Sequence, residues 1–284
     1  MTLYKSLIGV ASLASILVIS LCAGHFSLKQ RVVMELHDMF KTIPGGESKI
    51  LSVADLAHLP EPVQRWLLNS NVVGREKIQS VRLKQKGFFR LGQEKEWIPF
   101  TAEEYFVTEN PAFLWSTKMR MAPMINVAGR DRYFHGHGHM LIKLLSLIPV
   151  ANARGEEIDQ ATMQRYLNEI MWFPSAAVSE YITWEQVDAN AAKATMSYGG
   201  ATASAIFYFN ESGALINMTA QRYRYVNGDY QLDEWHTPLS EYGEFDGVRV
   251  PIKGEGVWKL DSGDFSYIRL EIIEIEYNNP TIYK

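Results

Sequence analysis

Gln160–Pro174, QATMQRYLNEIMWFP, is the one strongly amphipathic segment in the body of the chain. Met163, Tyr166, Leu167, Ile170 and Met171 recur at i, i+3, i+4, i+7 and i+8, so they share one stripe of a helix. Asp159 stands where a cap is expected, and Pro174 stops the run because it pushes the preceding residue out of helical geometry. To either side the hydrophobic period changes to two. The helix is therefore expected to pack on a large sheet and to cover what that sheet encloses.

Upstream, Ile78–Leu91 places Val81, Leu83, Phe89 and Leu91 on one face, with Gln85 and Gly87 between them. Arg82, Lys84, Lys86 and Arg90 take the other face, which reads as a solvated row with Glu103 or Glu104 of Trp97–Val107 as cross-strand partners. Phe113–Met121 and Ile125–Phe134 alternate again. His135–Leu141 follows after an expected kink at Gly136 or Gly138, while Leu141–Val150 fits a strand or a short helix. Downstream, Trp184–Asp188 leads into a meander: Ala192–Tyr198, Ala203–Phe209, Ala214–Val226, Tyr230–Tyr242, Val248–Leu260 and Phe265–Tyr277. Asn227-Gly228 and Asp246-Gly247 mark hairpins, because both central residues of a type I′ turn need positive φ. The expected class is α+β: about ten antiparallel strands in a curved, open barrel-like sheet, with helices on its concave side.

The N-terminus is of another kind. Ser6–Leu28 contains no Asp, Glu, Lys or Arg, and its core LIGVASLASILVISLCAG is long enough to span a bilayer, which takes ~20 residues. A cleaved signal peptide is the rival, with Lys5 as basic flank and small residues from Ser20 to Gly24. The length of the run favours an uncleaved single-pass anchor with an extracytoplasmic body; secretion after cleavage is the alternative. Residues 1–28 are thus assigned to the anchor or signal segment, 29–49 to an amphipathic helix and the Pro44–Ser48 linker, and 50–284 to the sheet domain. Within the last, Ser52–Ser70 forms two short helical pieces, the second opened by Pro62 with Val63, Trp66 and Leu67 as its stripe. With 284 residues, 47% hydrophobic, and a net charge of −4, the chain carries no global positive field to favour nucleic acid. Its single cysteine, Cys22, allows no internal disulfide.

Five phrases stand together: LPEPVQRWL at Leu59–Leu67, FTAEEYF at Phe100–Phe106, AGRDRYFHGHGHM at Ala128–Met140, RYLNEIMWFPSA at Arg165–Ala176, and WKL with FSYIRLEI between Trp258 and Ile272. As a set, over about Leu59–Asn278, they resemble an uncharacterised bacterial family of unknown function with an N-terminal membrane segment. The architecture that this implies is similar to the lipoprotein carriers LolA and LolB, whose half-barrels take acyl chains. No catalytic residue comes with the resemblance.

The side chains offer three candidate chemistries. Arg130 and Arg132 share one strand face, as do Arg222 and Arg224; such guanidiniums suit a carboxylate or phosphate head group, although pairing with Glu234, Glu241 or Glu255 is the ordinary expectation. Arg165 and Glu169 are four apart on the helix, opposite its apolar stripe. A surface ion pair between them is the ordinary expectation; Arg before Glu is the weaker order, and Arg130, Arg132 or Arg222 is the alternative partner for Glu169. His135, His137 and His139 alternate with glycines; on an extended strand they share a face, with Asp131 beside them, and a borderline metal is the weaker of the options there. Trp115, Tyr133 and Trp172 belong to an aromatic set that should face the interior.

No nucleophile elbow, phosphate loop, dinucleotide fingerprint or zinc motif is present, so no cofactor is called for. The main expectation is a membrane-anchored protein holding an apolar or lipid-like molecule in the sheet's cavity, with Arg130, Arg132, Arg165, Glu169, Arg222, Trp115, Tyr133 and Trp172 as ligand contacts. The alternative is a hydrolase using Glu169 with the histidine row, with or without metal. A tethered scaffold that recruits another protein is the third.

Overall fold

The computed structural model describes residues 2–46, 49–123 and 125–284, with the side chains of residues 2–11, 13 and 14 outside the description. Glu47 and Ser48 of the expected linker therefore lie outside it. Among the described residues there are three α-helices: α1 (Thr2–Phe40), α2 (Glu61–Asn69) and α3 (Glu156–Glu169). The strands are β1 (Ser80–Phe89), β2 (Ile98–Val107), β3 (Ala112–Ala122), β4 (Ile125–Phe134), β5 (His137–Leu144), β6 (Ile148–Ala153) and β7 (Ile182–Asp188), then β8 (Ala191–Tyr198), β9 (Ala201–Phe209), β10 (Leu215–Val226), β11 (Asp229–His236), β12 (Leu239–Phe245), β13 (Val248–Leu260) and β14 (Gly263–Tyr277). All fourteen belong to one antiparallel sheet of order β6-β5-β4-β3-β2-β1-β14-β13-β11-β10-β9-β8-β7, with β12 pairing β13.

The count exceeds the expected ten for identifiable reasons. Leu141–Val150 resolves into the end of β5 and the start of β6. The expected strand Tyr230–Tyr242 is two strands, parted at Thr237-Pro238, where proline has no N–H to give the ladder. His135 and Gly136 are not a kink but a two-residue turn with φ of 53° and 82°, joining Phe134 to its pair His137.

One helix forces the sheet to curl. α3 packs against β4 and β5 near one edge and against β8, β9 and β10 near the other. Only a sheet wrapped around α3 brings both arms to it. The arms also touch directly: the Gly136 turn lies on the Gly199 turn so closely that a Cβ on Gly136 would come within 2.8 Å of Gly199 Cα. Gly138 of β5 serves the same approach, since a Cβ there would meet Thr162 Oγ1 at 2.3 Å. α3 begins at Glu156 after Gly155 (φ 123°), earlier than expected. Asp159, rather than capping, lies in its first turn and accepts the Gly138 N–H.

Alternation sorts the two faces. Gln85, Glu104, Phe106, Phe113, Trp115, Asp131 and Tyr133 face inwards towards α2 and α3. Tyr105, Val107, Ala112 and Leu114 face outwards, where Leu36 and Met39 of α1 cover them. α1 is one continuous helix that includes both the apolar run and the expected amphipathic piece. Leu28 packs on Ala128 and Leu141 of the same outer face. The basic row on β1 pairs with β14 rather than β2: Arg82 with Glu276, Lys84 with Glu274 and Lys86 with Glu271.

Beneath α1 a charge is buried. Arg130 is 0% exposed; it donates to the His139 carbonyl and pairs with Glu35 of α1 at 3.1 Å. Glu35→Ala leaves that guanidinium without its carboxylate, and the expected loss is about 3 kcal/mol, the low end for an uncompensated buried charge. Denaturant unfolding of the full chain in detergent measures it; an unchanged midpoint would show that α1 docks without this pair.

Candidate functional site

The register of the sheet builds a row across its concave face. Glu104 of β2 pairs with Trp115 of β3, Trp115 with Asp131 of β4, and Asp131 with Met140 of β5. Above the row sits Arg165 of α3. Its Nε donates to Glu169 Oε1 (2.7 Å), Nη1 to Asp131 Oδ2 (3.1 Å) and Nη2 to Glu104 Oε1 (2.7 Å). Its plane lies over Phe113 (4.9 Å) and Trp115 (4.8 Å). The helix pair Arg165–Glu169 forms, as the ordinary reading has it, but it is buried rather than on the surface, and Arg130, Arg132 and Arg222 do not replace Arg165. Burial, and the two extra acids from the sheet, make an intrinsically weak arrangement a strong one.

Three carboxylates on one guanidinium leave excess negative charge. Burial and the nearby Glu169 push the Glu104 carboxyl well above its usual range, and Arg165 opposes this only in part. Burial also raises Glu169, while Arg165 holds it down. Glu169 Oε2 is buried and has no hydrogen-bond partner among the described residues. Glu104 Oε2 accepts from Gln85 Nε2 (2.9 Å), whose Oε1 in turn accepts from Trp115 Nε1 (3.0 Å). Sequence reasoning placed Glu104 among surface partners. Its signal was the period of two, which sets it in line with Phe100, Ala102 and Phe106, opposite Leu83 and diagonal to Gln85 in the otherwise apolar row of β1.

Beside this cluster lies a cavity of about 840 Å³. Of the expected ligand contacts, Trp115, Arg165, Glu169, Trp172 and Arg222 line it. Trp235, Trp258, Phe265 and Tyr267 extend the aromatic wall, and the exposed Leu91, Val150, Arg154 and Tyr225 stand at its mouth. Arg222 is held over Trp235 (4.4 Å) and Trp258 (5.9 Å). Its Nε donates to the Ala161 carbonyl and its Nη1 to Tyr267 Oη. No carboxylate pairs with it among the described residues. Arg224, by contrast, is paired with Asp233 at 2.7 Å.

The other expected contacts lie elsewhere. Arg130 and Arg132 face outwards onto Glu35, because residues next to the inward Asp131 must point the other way. Tyr133 faces in but is packed between Phe113 and Tyr166 in the solid part of the core. The histidine row is not a row. His135 is in the turn, and His137 is largely exposed and bonded to Asp159. His139 lies on the outer face, between Arg130 and Asn152, where burial lowers it to about 4. None of the three lines the cavity or meets Glu169, so the constellation expected for a hydrolase is not assembled. Asp131 is on the opposite face from His139, since the hairpin resets the alternation. Among the described residues no group of three or more His, Cys, Asp or Glu is placed to hold a metal.

Comparison with curated protein sequences finds no match. Among solved structures, the chain is similar to a putative outer membrane lipoprotein-sorting protein domain from Vibrio parahaemolyticus, at 6% identity and a TM-score of 0.39 over 77% of this chain and 91% of that one. It is also similar to a LolA superfamily protein from Nitrosomonas europaea, at 9% identity and a TM-score of 0.39 over 76% and 94%. The family model that matches covers residues 49–270, most of the sheet domain, and the chain belongs to that family, the family of unknown function DUF6544.

Proposed function

We propose that this protein is a membrane-tethered binding protein for an anionic amphiphile, with the apolar part of the ligand in the aromatic cavity and its carboxylate or phosphate on Arg222. The observation that carries this is Arg222 itself: a guanidinium stacked on tryptophan, without a carboxylate partner, inside an apolar cavity of about 840 Å³. Arg222 is half-buried and feels Glu169 only at a distance, so an anionic head group in the cavity can pair with it directly. The volume falls within the ~300–1,000 Å³ usual for small-molecule sites. Tethering is supported by the N-terminal part of α1, where residues 6–28 carry no Asp, Glu, Lys or Arg, a run long enough for the ~20 residues that a span takes.

Arg165 and its three acids serve as the cavity's floor in this scheme. Each of its three nitrogens already bonds an acid of the protein, which commits three of the five N–H groups and satisfies its charge internally. The cluster should still betray itself through pH. Glu104 and Glu169 bind a proton more tightly in the folded chain than in the unfolded chain. Stability that depends on such a raised carboxyl is full below its unfolded pKa and is lost as pH rises through the folded one.

Two outcomes are expected. Delipidated protein binds a long-chain fatty acid, and Arg222→Ala weakens it by about tenfold or more, the equivalent of one charged hydrogen bond at ~1.5–3 kcal/mol. The alcohol of equal chain length loses little. Titration calorimetry in a matched detergent decides, and equal losses for acid and alcohol would remove Arg222 from the head-group role. Separately, unfolding free energy of the wild type should fall as pH is raised above the carboxylate range, by up to about 1.4 kcal/mol per pH unit. Glu169→Gln keeps the acceptor for Arg165 and offers Glu104 an N–H, so its stability curve over the same range should be flatter. A parallel pair of curves would show that no proton is held there.

A further inference from the structure

Two apolar features of the molecule meet at one place. α1 passes the end of the sheet at Gly24, where a Cβ would stand 3.0 Å from the Ser146 carbonyl oxygen and 3.1 Å from Leu147 Cδ1. C-terminal to this point the helix is committed to the outer face through Leu28, Leu36 and Met39. The part free to enter a bilayer is therefore Thr2–Ala23, about 33 Å at ~1.5 Å per residue. A hydrocarbon core is ~30 Å thick. Gly24, and with it the β5–β6 turn, then lies at the membrane surface.

That end of the sheet is apolar where it need not be. Leu147, Ile148 and Val150 are exposed along the β5–β6 turn and the edge strand β6, and Met121 and Ile125 are exposed at the β3–β4 tip. The two tips adjoin, since the Leu145 N–H donates to the Asn126 carbonyl at 2.8 Å. Single exposed apolar residues are ordinary, but a band of them beside the exit of an apolar helix has a natural occupant in lipid. Lys29 and Arg31, exposed on α1 just beyond Gly24, and Arg120 at the β3–β4 tip stand at head-group height. From Ile148, β6 runs on directly to Val150–Ala153, which line the cavity's mouth.

We propose that the β3–β4 and β5–β6 tips rest in the membrane surface, and that edge strand β6 leads a lipid from the bilayer into the cavity without a passage through water. This rests on the membrane-tethered, lipid-binding function of the preceding section. It adds a specific face of the body, a specific orientation and a source for the ligand.

The test uses the full chain in vesicles of phosphatidylcholine and phosphatidylglycerol. In a Cys22→Ser background, single cysteines at Leu147→Cys, Ile148→Cys and, as the distant control on the β9–β10 turn, Glu211→Cys carry an environment-sensitive fluorophore. Lipids bearing a nitroxide near the head group should quench the labels at 147 and 148 several-fold more than the label at 211. Equal quenching at all three overturns the proposal, whatever the cavity binds. The pair Leu147→Glu with Ile148→Glu, neither of which lines the cavity, should slow uptake of a pyrene-labelled fatty acid from the vesicles roughly tenfold, the ratio implied by losing the burial of one apolar side chain. Its affinity for the same probe in detergent should not change. Unchanged uptake in that variant also overturns the proposal. Quenching at 147 and 148 with no probe binding in detergent even by the wild type would leave the membrane face standing and remove the lipid-binding function instead.

Discussion

A single guanidinium sets how the central helix sits in the sheet. Arg165 spends three separate nitrogens on three acids, one each from β2, β4 and its own helix. The planar fork fixes the directions of those bonds, which an ammonium on the same stem does not do. Phe113 and Trp115, two residues apart on β3, hold their ring centres 4.9 and 4.8 Å from the guanidinium carbon. Rotation of α3 about its axis is thereby settled. Once it is, Tyr166 and Leu167 must enter the packed core, and Ala161, Asn168 and Glu169 must face the cavity.

The cavity follows from a mismatch in size. α3 has 14 residues, hence a length of about 21 Å. A fourteen-stranded sheet curled around it encloses more than one such helix fills. α3 packs chiefly where the two arms approach each other, at β4–β5 and β8–β10. There Phe106, Phe113, Tyr133, Tyr166 and Phe173 close the space in ring-to-ring contact. The inner faces of β11, β13 and β14 are left to Trp235, Trp258 and Tyr267, which meet each other and Arg222 rather than a helix. The aromatic set expected from the sequence is thus of two kinds: one packs, and the other lines an opening.

Much of this was legible because strands and hairpins obey local rules. Asn227-Gly228 and Asp246-Gly247 turn where positive φ is needed, and the stripe of α3 is buried as its spacing requires. What was not legible had two causes. His135-Gly136 turns the chain with His in the place that Asn or Asp usually takes, so the alternation was carried through it and His139 was put on the same face as Asp131. The arginines failed for a different reason. Period two states that Arg130 and Arg132 share a face, but not which face. That depends on Asp131, whose partner, Arg165, is 34 residues away on another element. Glu35 was likewise hidden, since nothing local links a carboxylate on α1 to a strand nearly a hundred residues on.

Arg130 and Asp131 are neighbours on β4, and between them they join everything that matters here. Arg130 points out and is fixed by Glu35 of α1; Asp131 points in and accepts from Arg165 of α3. Each tie is a buried or nearly buried charge, so sliding either helix along the sheet uncovers an ion from its partner at a cost of several kcal/mol. One strand therefore sets two orientations together: that of the apolar helix against the outside of the body, and that of the cavity's floor within it. The direction in which the cavity opens, relative to the axis along which α1 leaves, is a fixed property of the fold. It does not depend on a flexible linker, because the helix that leaves the body at Gly24 and the helix docked at Glu35 are one uninterrupted element.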